Sequence, residues 1–162
     1  MQPLWHRRFL QAFTKSVCYS NQWVTYFTPR PVISTFRQSG FKLVARDFRR
    51  CADTFKPPKF SFVPYFLYCR AIELGLKAIH LETERQQEVK EEYGHDLIRS
   101  YKALPPERRT LSTADSDLLA QISRLYERKA FEYVQPGDAA HGYSDFPDLE
   151  QLARLATNFA SE

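Results

Sequence analysis

Glycine is scarce in this chain, with five among 162 residues. Five scattered glycines cannot build the glycine-rich loop that cradles a phosphate chain. Cysteine is also sparse and odd in number. Cys18, Cys51 and Cys69 are far apart and show no CxxC or zinc spacing, so reduced thiols and no metal centre are expected. No apolar run approaches the ~18 residues of a membrane span. Basic residues at the start, Arg7 and Arg8, are followed by no apolar stretch of the secretory kind. A cytoplasmic protein without membrane contact is expected. Ser112 and Ser144 lack the His and Asp neighbours of a nucleophilic triad. No internal repeat or low-complexity tract is visible, and nothing implies a cofactor.

Acid is absent before Asp47. The first 46 residues carry seven cations (Arg7, Arg8, Lys15, Arg30, Arg37, Lys42 and Arg46), so the rest of this +4 chain carries a net −3. A basic, acid-free start reads as an arm for nucleic acid or an acidic partner, as a transit-like segment, or as a solvated extension. Trp5, Phe9, Phe13, Trp23, Tyr26 and Phe27 weigh against the last, because clustered aromatics usually pack on something. Residues 1–30 are read as a separate extension, with a short helix over Leu4–Ser16 and an extended stretch over Val17–Thr28. Residues 31–162 are read as one domain.

Hydrophobic periodicity predicts helices through that domain. Ile33–Phe55 places Ile33, Phe36, Leu43, Val44, Phe48, Cys51 and Phe55 on one expected core face. Lys42, Arg46, Arg49, Arg50 and Asp53 recur at three- and four-residue steps on another face. Those cations suit phosphate or nucleic acid, or simply solvent. Pro57-Pro58 ends the helix. Ser61 to about Gln87 forms the second, with Phe62, Tyr65, Phe66, Cys69, Ile72, Leu76 and Ile79 inward and Glu88–Tyr93 fraying. Gly94 breaks the chain and His95 or Asp96 opens a third, ending near Leu104. Ser112-x-x-Asp115 resembles a capping box for a fourth running to about Val134. A fifth starts at Asp145–Asp148, with Leu149, Leu152, Leu155, Ala156 and Phe159 inward. The expectation is an all-α bundle of four to five antiparallel helices with an N-terminal extension.

On the second helix Arg70, Glu73, Lys77, His80 and Glu84 step by three and four residues and form one stripe. It lies about 90° from the centre of the apolar face, at the expected edge of the core. Two readings stand. One is a structural ion-pair ladder, with Glu73 and Lys77 in the favourable order. The other is a ligand site that meets His95 and Asp96, where a desolvated carboxylate beside a histidine can tune an acid or base. His141, in a polar loop, is a further candidate.

The helix AIELGLKA (Ala71–Ala78), a charged connector and YGHDL (Tyr93–Leu97) together resemble the HEPN superfamily of helical bundles. The likeness covers roughly Ile33 to Phe159. It implies an antiparallel bundle, frequent homodimers, and roles in RNA cleavage, toxin–antitoxin systems, defence or nucleotide binding. Nuclease members carry an arginine, four to six intervening residues and then a histidine, and cut RNA without metal. Here no histidine has an arginine five to seven positions before it, and Arg128 is followed by Tyr133 at the histidine position. The resemblance implies an RNA- or nucleotide-binding module, with a cognate partner protein as an alternative ligand. A diverged ribonuclease using His95 or His141 with Arg128 or Arg70 is a second reading, and a structural helical protein whose N-terminal arm docks a partner is a third.

Overall fold

The computed structural model describes residues 14–19, 22–27, 32–133, 136–140 and 143–161, with side chains from Arg37 onward except at 138 and 139. His141 lies outside the described residues, as does most of the helix expected over Leu4–Ser16. The chain divides into two units, Met1–Val32 and Ile33–Glu162. In the first, β1 (Thr14–Tyr19) and β2 (Gln22–Phe27) pair antiparallel, with Thr14 opposite Phe27 and Tyr19 opposite Gln22. Thr14–Ser16, expected as helix, is therefore strand. Alternating β-branched and aromatic residues favour the extended form.

The second unit is all-helical. Its elements are α1 (Val32–Thr54), α2 (Val63–His80), α3 (Gln86–Tyr93), α4 (Leu97–Lys102), α5 (Thr113–Glu127), α6 (Pro136–Ala140) and α7 (Leu149–Thr157). Local chemistry sets most of the boundaries. Pro64 sits in the first turn of α2, where its missing N–H is harmless. After His80, the Thr83 and Glu84 amides both turn back to its carbonyl, and the helix stops.

Glu88–Tyr93, expected to fray, is instead a helix of its own. The Glu88 side chain accepts the Arg85 N–H at 3.0 Å, and Val89 and Tyr93 are buried. Those two anchors offset the acidic surface. Gly94 ends α3 at φ +50°, a conformation that favours glycine. Asp96 caps α4 by accepting from Arg99 N at 2.9 Å, and Ser112 caps α5 by accepting from Asp115 N at 3.1 Å. The fourth helix stops at Glu127, short of Val134, where Lys129 takes a positive φ of 55°.

Helix α2 is the hub, packed against α4, α5 and α7. Cys69, Ile72 and Leu76 are fully buried and belong to one core with Leu119, Ile122, Leu152 and Leu155. Each buried Leu or Ile contributes about 1.5–3 kcal/mol. The opposite flank of α2 is buried too, because Ala71 and Leu74 meet Ala45 of α1 and Ala160.

Helix α1 corrects the periodicity reading. Its inward residues are the small Ala45 and Ala52, with Phe41 and Phe48 partly buried. Leu43 (54% exposed), Val44 (43%) and Phe55 (40%), expected in the core, face water, and so does Cys51. Small side chains allow close approach to α2, so the packing face is displaced from the larger apolar stripe.

Gly75 lets α2 approach the chain end closely. A Cβ there would run into the Phe159 carbonyl oxygen and come within 2.8 Å of Phe159 Cβ, whereas one at Gly40 would meet nothing within 4 Å. Gly75→Ala should therefore cost about 1–3 kcal/mol by overpacking. Gly40→Ala should gain up to about 1 kcal/mol from helix propensity. Urea denaturation of the two variants checks the opposite signs.

Candidate functional site

Placing α2 at the centre takes its polar stripe into the interior. Glu73 is 2% exposed and cannot rely on water. Its carboxylate collects donors from two helices and a turn. Arg70 Nη1 donates to Oε2 at 2.8 Å and Lys77 Nζ to Oε1 at 2.5 Å, both from α2. Tyr126 Oη, on α5, donates to Oε2 at 2.6 Å. His95, in the turn between α3 and α4, brings Nδ1 to 3.2 Å from Oε1. The His95 side chain is 62% exposed and stands edge-on to the Tyr126 ring, with centroids 5.8 Å apart. Arg70 is 33% exposed and Lys77 13%. A sealed carboxylate thus carries a rim of two cations and one imidazole.

The electrostatics favour an ionised Glu73. Burial pushes its carboxyl up, but hydrogen bonds from Lys77 and Tyr126 and the charges of Lys77 and Arg70 outweigh burial and hold it below the ordinary 4.5. Burial and the same carboxylate push the Tyr126 hydroxyl well up, so it stays a donor. Burial pulls the Arg70 guanidinium down, but the Glu73 charge and hydrogen bonds to Glu73 and Tyr126 outweigh that and push it up. Burial, helped by Glu73, pushes the Cys69 thiol up and away from thiolate chemistry.

An ionised carboxylate only accepts hydrogen bonds, so His95 must donate through Nδ1–H. In the neutral imidazole the lone pair is then on Nε2, on a largely exposed ring. This arrangement can hold an anionic group against Arg70, Lys77 and His95. It can also take a proton on His95. Glu73 itself is occupied by donors and is not a base.

The other expected site residues lie elsewhere. His80 forms a separate buried group. Its Nδ1 meets Glu84 Oε1 at 2.8 Å, its Nε2 meets the Ser100 carbonyl at 2.9 Å, and its ring stacks on Tyr93 at 4.1 Å. In the imidazolium form both N–H groups donate, one to each acceptor. This group ties α2, α3 and α4 together, a structural task. Asp96 is likewise a cap, with Ser123 Oγ 3.3 Å from its Oδ1 and accepting Leu97 N–H at 3.0 Å. Arg128 is an exposed residue at the end of α5, and the arginine that shares Glu73 with His95 is Arg70. Lys42, Arg46, Arg49 and Arg50 all lie on α1, where Arg49 pairs with Asp53 at 3.8 Å.

Tyr126 is the participant that sequence reasoning missed. It is a core residue, but its hydroxyl completes the carboxylate shell. The available signal was chemical: a tyrosine on a core face needs a partner for its O–H. Among the described residues, no group of three His, Cys, Asp or Glu side chains could hold a metal ion.

Glu73→Gln should cost about 3 kcal/mol at neutral pH, the low end for breaking a buried ion pair because Arg70 and Lys77 can still turn toward water. A depressed carboxylate contributes its full stability above its unfolded value of 4.5 and loses it as pH falls through the folded value. The gap between wild type and Glu73→Gln should therefore narrow as pH falls below the unfolded value of 4.5. Urea denaturation at several pH values measures it. Tyr126→Phe removes one donor to a charged group and should cost about 1.5–3 kcal/mol without changing the circular dichroism spectrum.

No family model, curated protein or solved structure matches this chain.

Proposed function

We propose that the chain is a HEPN-like binding module that takes an anionic ligand, RNA or a nucleotide, at the rim formed by Arg70, Lys77 and His95. One observation carries this reading. A buried carboxylate that is already saturated holds two cations and an exposed imidazole in fixed positions. Glu73 and the two cations sum to one positive charge at a partly desolvated place, where a phosphate gains more than it does in open water. Arginine adds a planar fork of donors suited to phosphate oxygens. The absent arginine–histidine pair supports binding over cleavage, since Tyr133 occupies the histidine position and is 60% exposed.

A second reading has one observation in its favour. Glu73 orients His95 through Nδ1, which is how a carboxylate prepares an imidazole to act as a base through Nε2. In a metal-independent ribonuclease His95 would move the proton and Arg70 would steady the phosphate.

Fluorescence anisotropy with labelled single-stranded RNA and with a labelled adenine nucleotide tests the first reading. Binding should weaken about tenfold or more between roughly 50 and 200 mM salt if several phosphates are contacted. His95→Ala, at an exposed position, should weaken it several-fold with an unchanged melting temperature. Absence of binding to both probes at low salt removes the first reading. RNA cleavage that persists in EDTA and disappears in His95→Ala would establish the second.

A further inference from the structure

Helix α1 carries a row of cations that the bundle answers only in part. At about 100° per residue, Lys42, Arg46, Arg49, Arg50 and Asp53 fall within about 100° of one another, nearly opposite Val44, Cys51 and Phe55. Asp53 is the one acid in this row, and it is already engaged. Its Oδ1 accepts the Tyr68 O–H at 2.8 Å, and its Oδ2 lies 3.8 Å from Arg49 Nη1, beyond hydrogen-bond reach. Arg46 and Arg49 are partly buried, and each holds a buried Nε–H with no acceptor among the described residues. A guanidinium N–H kept from water without an acceptor is costly, so both side chains gain by turning their forks onto an anion. Lys42 and Arg50 are exposed.

Past the end of α1 come Lys56 and Lys59, both exposed, and then Phe60. The Phe60 ring stacks on Tyr143 with centroids 4.5 Å apart and planes 11° from parallel, and Phe62 and Phe146 meet it edge-on. These rings fix it in place, yet Phe60 remains 49% exposed. Its position adjoins the row. Tyr68, which holds Asp53, and Tyr65, whose ring lies 5.9 Å from Phe60, are one turn and about 60° apart on α2. We propose that single-stranded nucleic acid crosses this face, its phosphates on Lys42, Arg46, Arg49 and Arg50 and an unpaired base on the exposed surface of Phe60. Cations that track a backbone beside an aromatic platform are what a single strand requires. An anionic membrane fits less well, because the apolar side chains that would insert lie on the opposite side of the helix. An acidic helix of a partner would find no apolar anchors among the cations. The ligand class is that of the reading above, but the site does not depend on it. Tyr68 and Arg70 lie about 160° apart around α2, so the row is remote from the Glu73 rim.

The test uses the full chain and a fluorescein-labelled oligouridylate, with anisotropy read across a range of salt. Duplex RNA, inorganic polyphosphate and oligoglutamate serve as unlabelled competitors. Each phosphate contact on a single strand adds about 0.7 to the slope of log affinity against log salt. Arg46→Gln with Arg49→Gln should therefore lower the slope by about 1.4. Lys42→Gln with Arg50→Gln should do the same at the parent melting temperature, because both positions are exposed. Phe60→Leu should weaken binding about fivefold or more at an unchanged slope, since it removes a ring face and no charge. Unlabelled oligouridylate should displace the probe better than any of the competitors at equal charge. A slope unchanged in both cation pairs overturns the proposal, and so does a Phe60→Leu variant that binds like the parent. Displacement by polyphosphate or oligoglutamate as good as by oligouridylate also overturns it, by making the face a general anion surface. The same assay separates the two sites. Loss in the cation pairs with His95→Ala like the parent supports this inference and removes the rim. Loss in His95→Ala with both cation pairs like the parent overturns this inference and leaves the rim standing.

Discussion

A carboxylate removed from water is stable only where hydrogen bonds and opposite charge replace the lost solvent. Glu73 imposes that condition on this fold. Its position on the central helix is met by Arg70 and Lys77 one turn to either side and a tyrosine hydroxyl from α5, and the exposed imidazole of His95 reaches it from the turn before α4. Each donor comes with its own backbone constraint. Tyr126 must lie deep enough to reach Oε2, which positions α5 along α2. His95 must follow Gly94, whose positive φ turns the chain back over the carboxylate. The polar shell and the apolar core therefore specify the same arrangement of helices.

The second polar group has a different task. His80, Glu84, Tyr93 and the Ser100 carbonyl fasten the region where α2, α3 and α4 meet, and the ring is almost fully enclosed. The two histidines, His80 on α2 and His95 in the turn before α4, thus separate by exposure. His80 is sealed between fixed partners, while His95 presents most of its ring to solvent from a fixed anchor. Chemistry with an external ligand needs the second condition. Helix α1 adds a third kind of surface, in which large apolar side chains such as Leu43 and Val44 face outward because the small Ala45 and Ala52 do the packing.

Much of the architecture was legible in the residues. The caps at Asp96, Ser112 and Asp148 are local events within three residues of sequence, and all three form. The apolar stripe of α2 is also local, since Tyr65, Cys69, Ile72 and Leu76 follow helical spacing and are buried as expected. Periodicity failed at α1, where it ranked Leu43, Val44 and Phe55 above Ala45 and Ala52. Hydrophobicity measures a preference for burial, whereas close helix packing selects small size. It also failed at Glu88–Tyr93, where acidic residues masked the two anchors, Val89 and Tyr93, that hold a short helix to the body.

The sequence by itself determined the all-helical character of the second unit, the starts of α1, α2, α4, α5 and α7 and the presence of a polar stripe on α2. All of these depend on neighbours within one or two turns. Only the tertiary structure decided that Glu73 and His80 of the stripe would be interior while Arg70, Lys77 and Glu84 stay at the edge of the core. That outcome required a second packing surface, Ala71 and Leu74 against Ala45 and Ala160, on the opposite flank of the same helix. It likewise decided that Tyr126, 53 residues from Glu73, would complete the shell. Burial is a property of everything that surrounds a residue, so no window along the chain contains it.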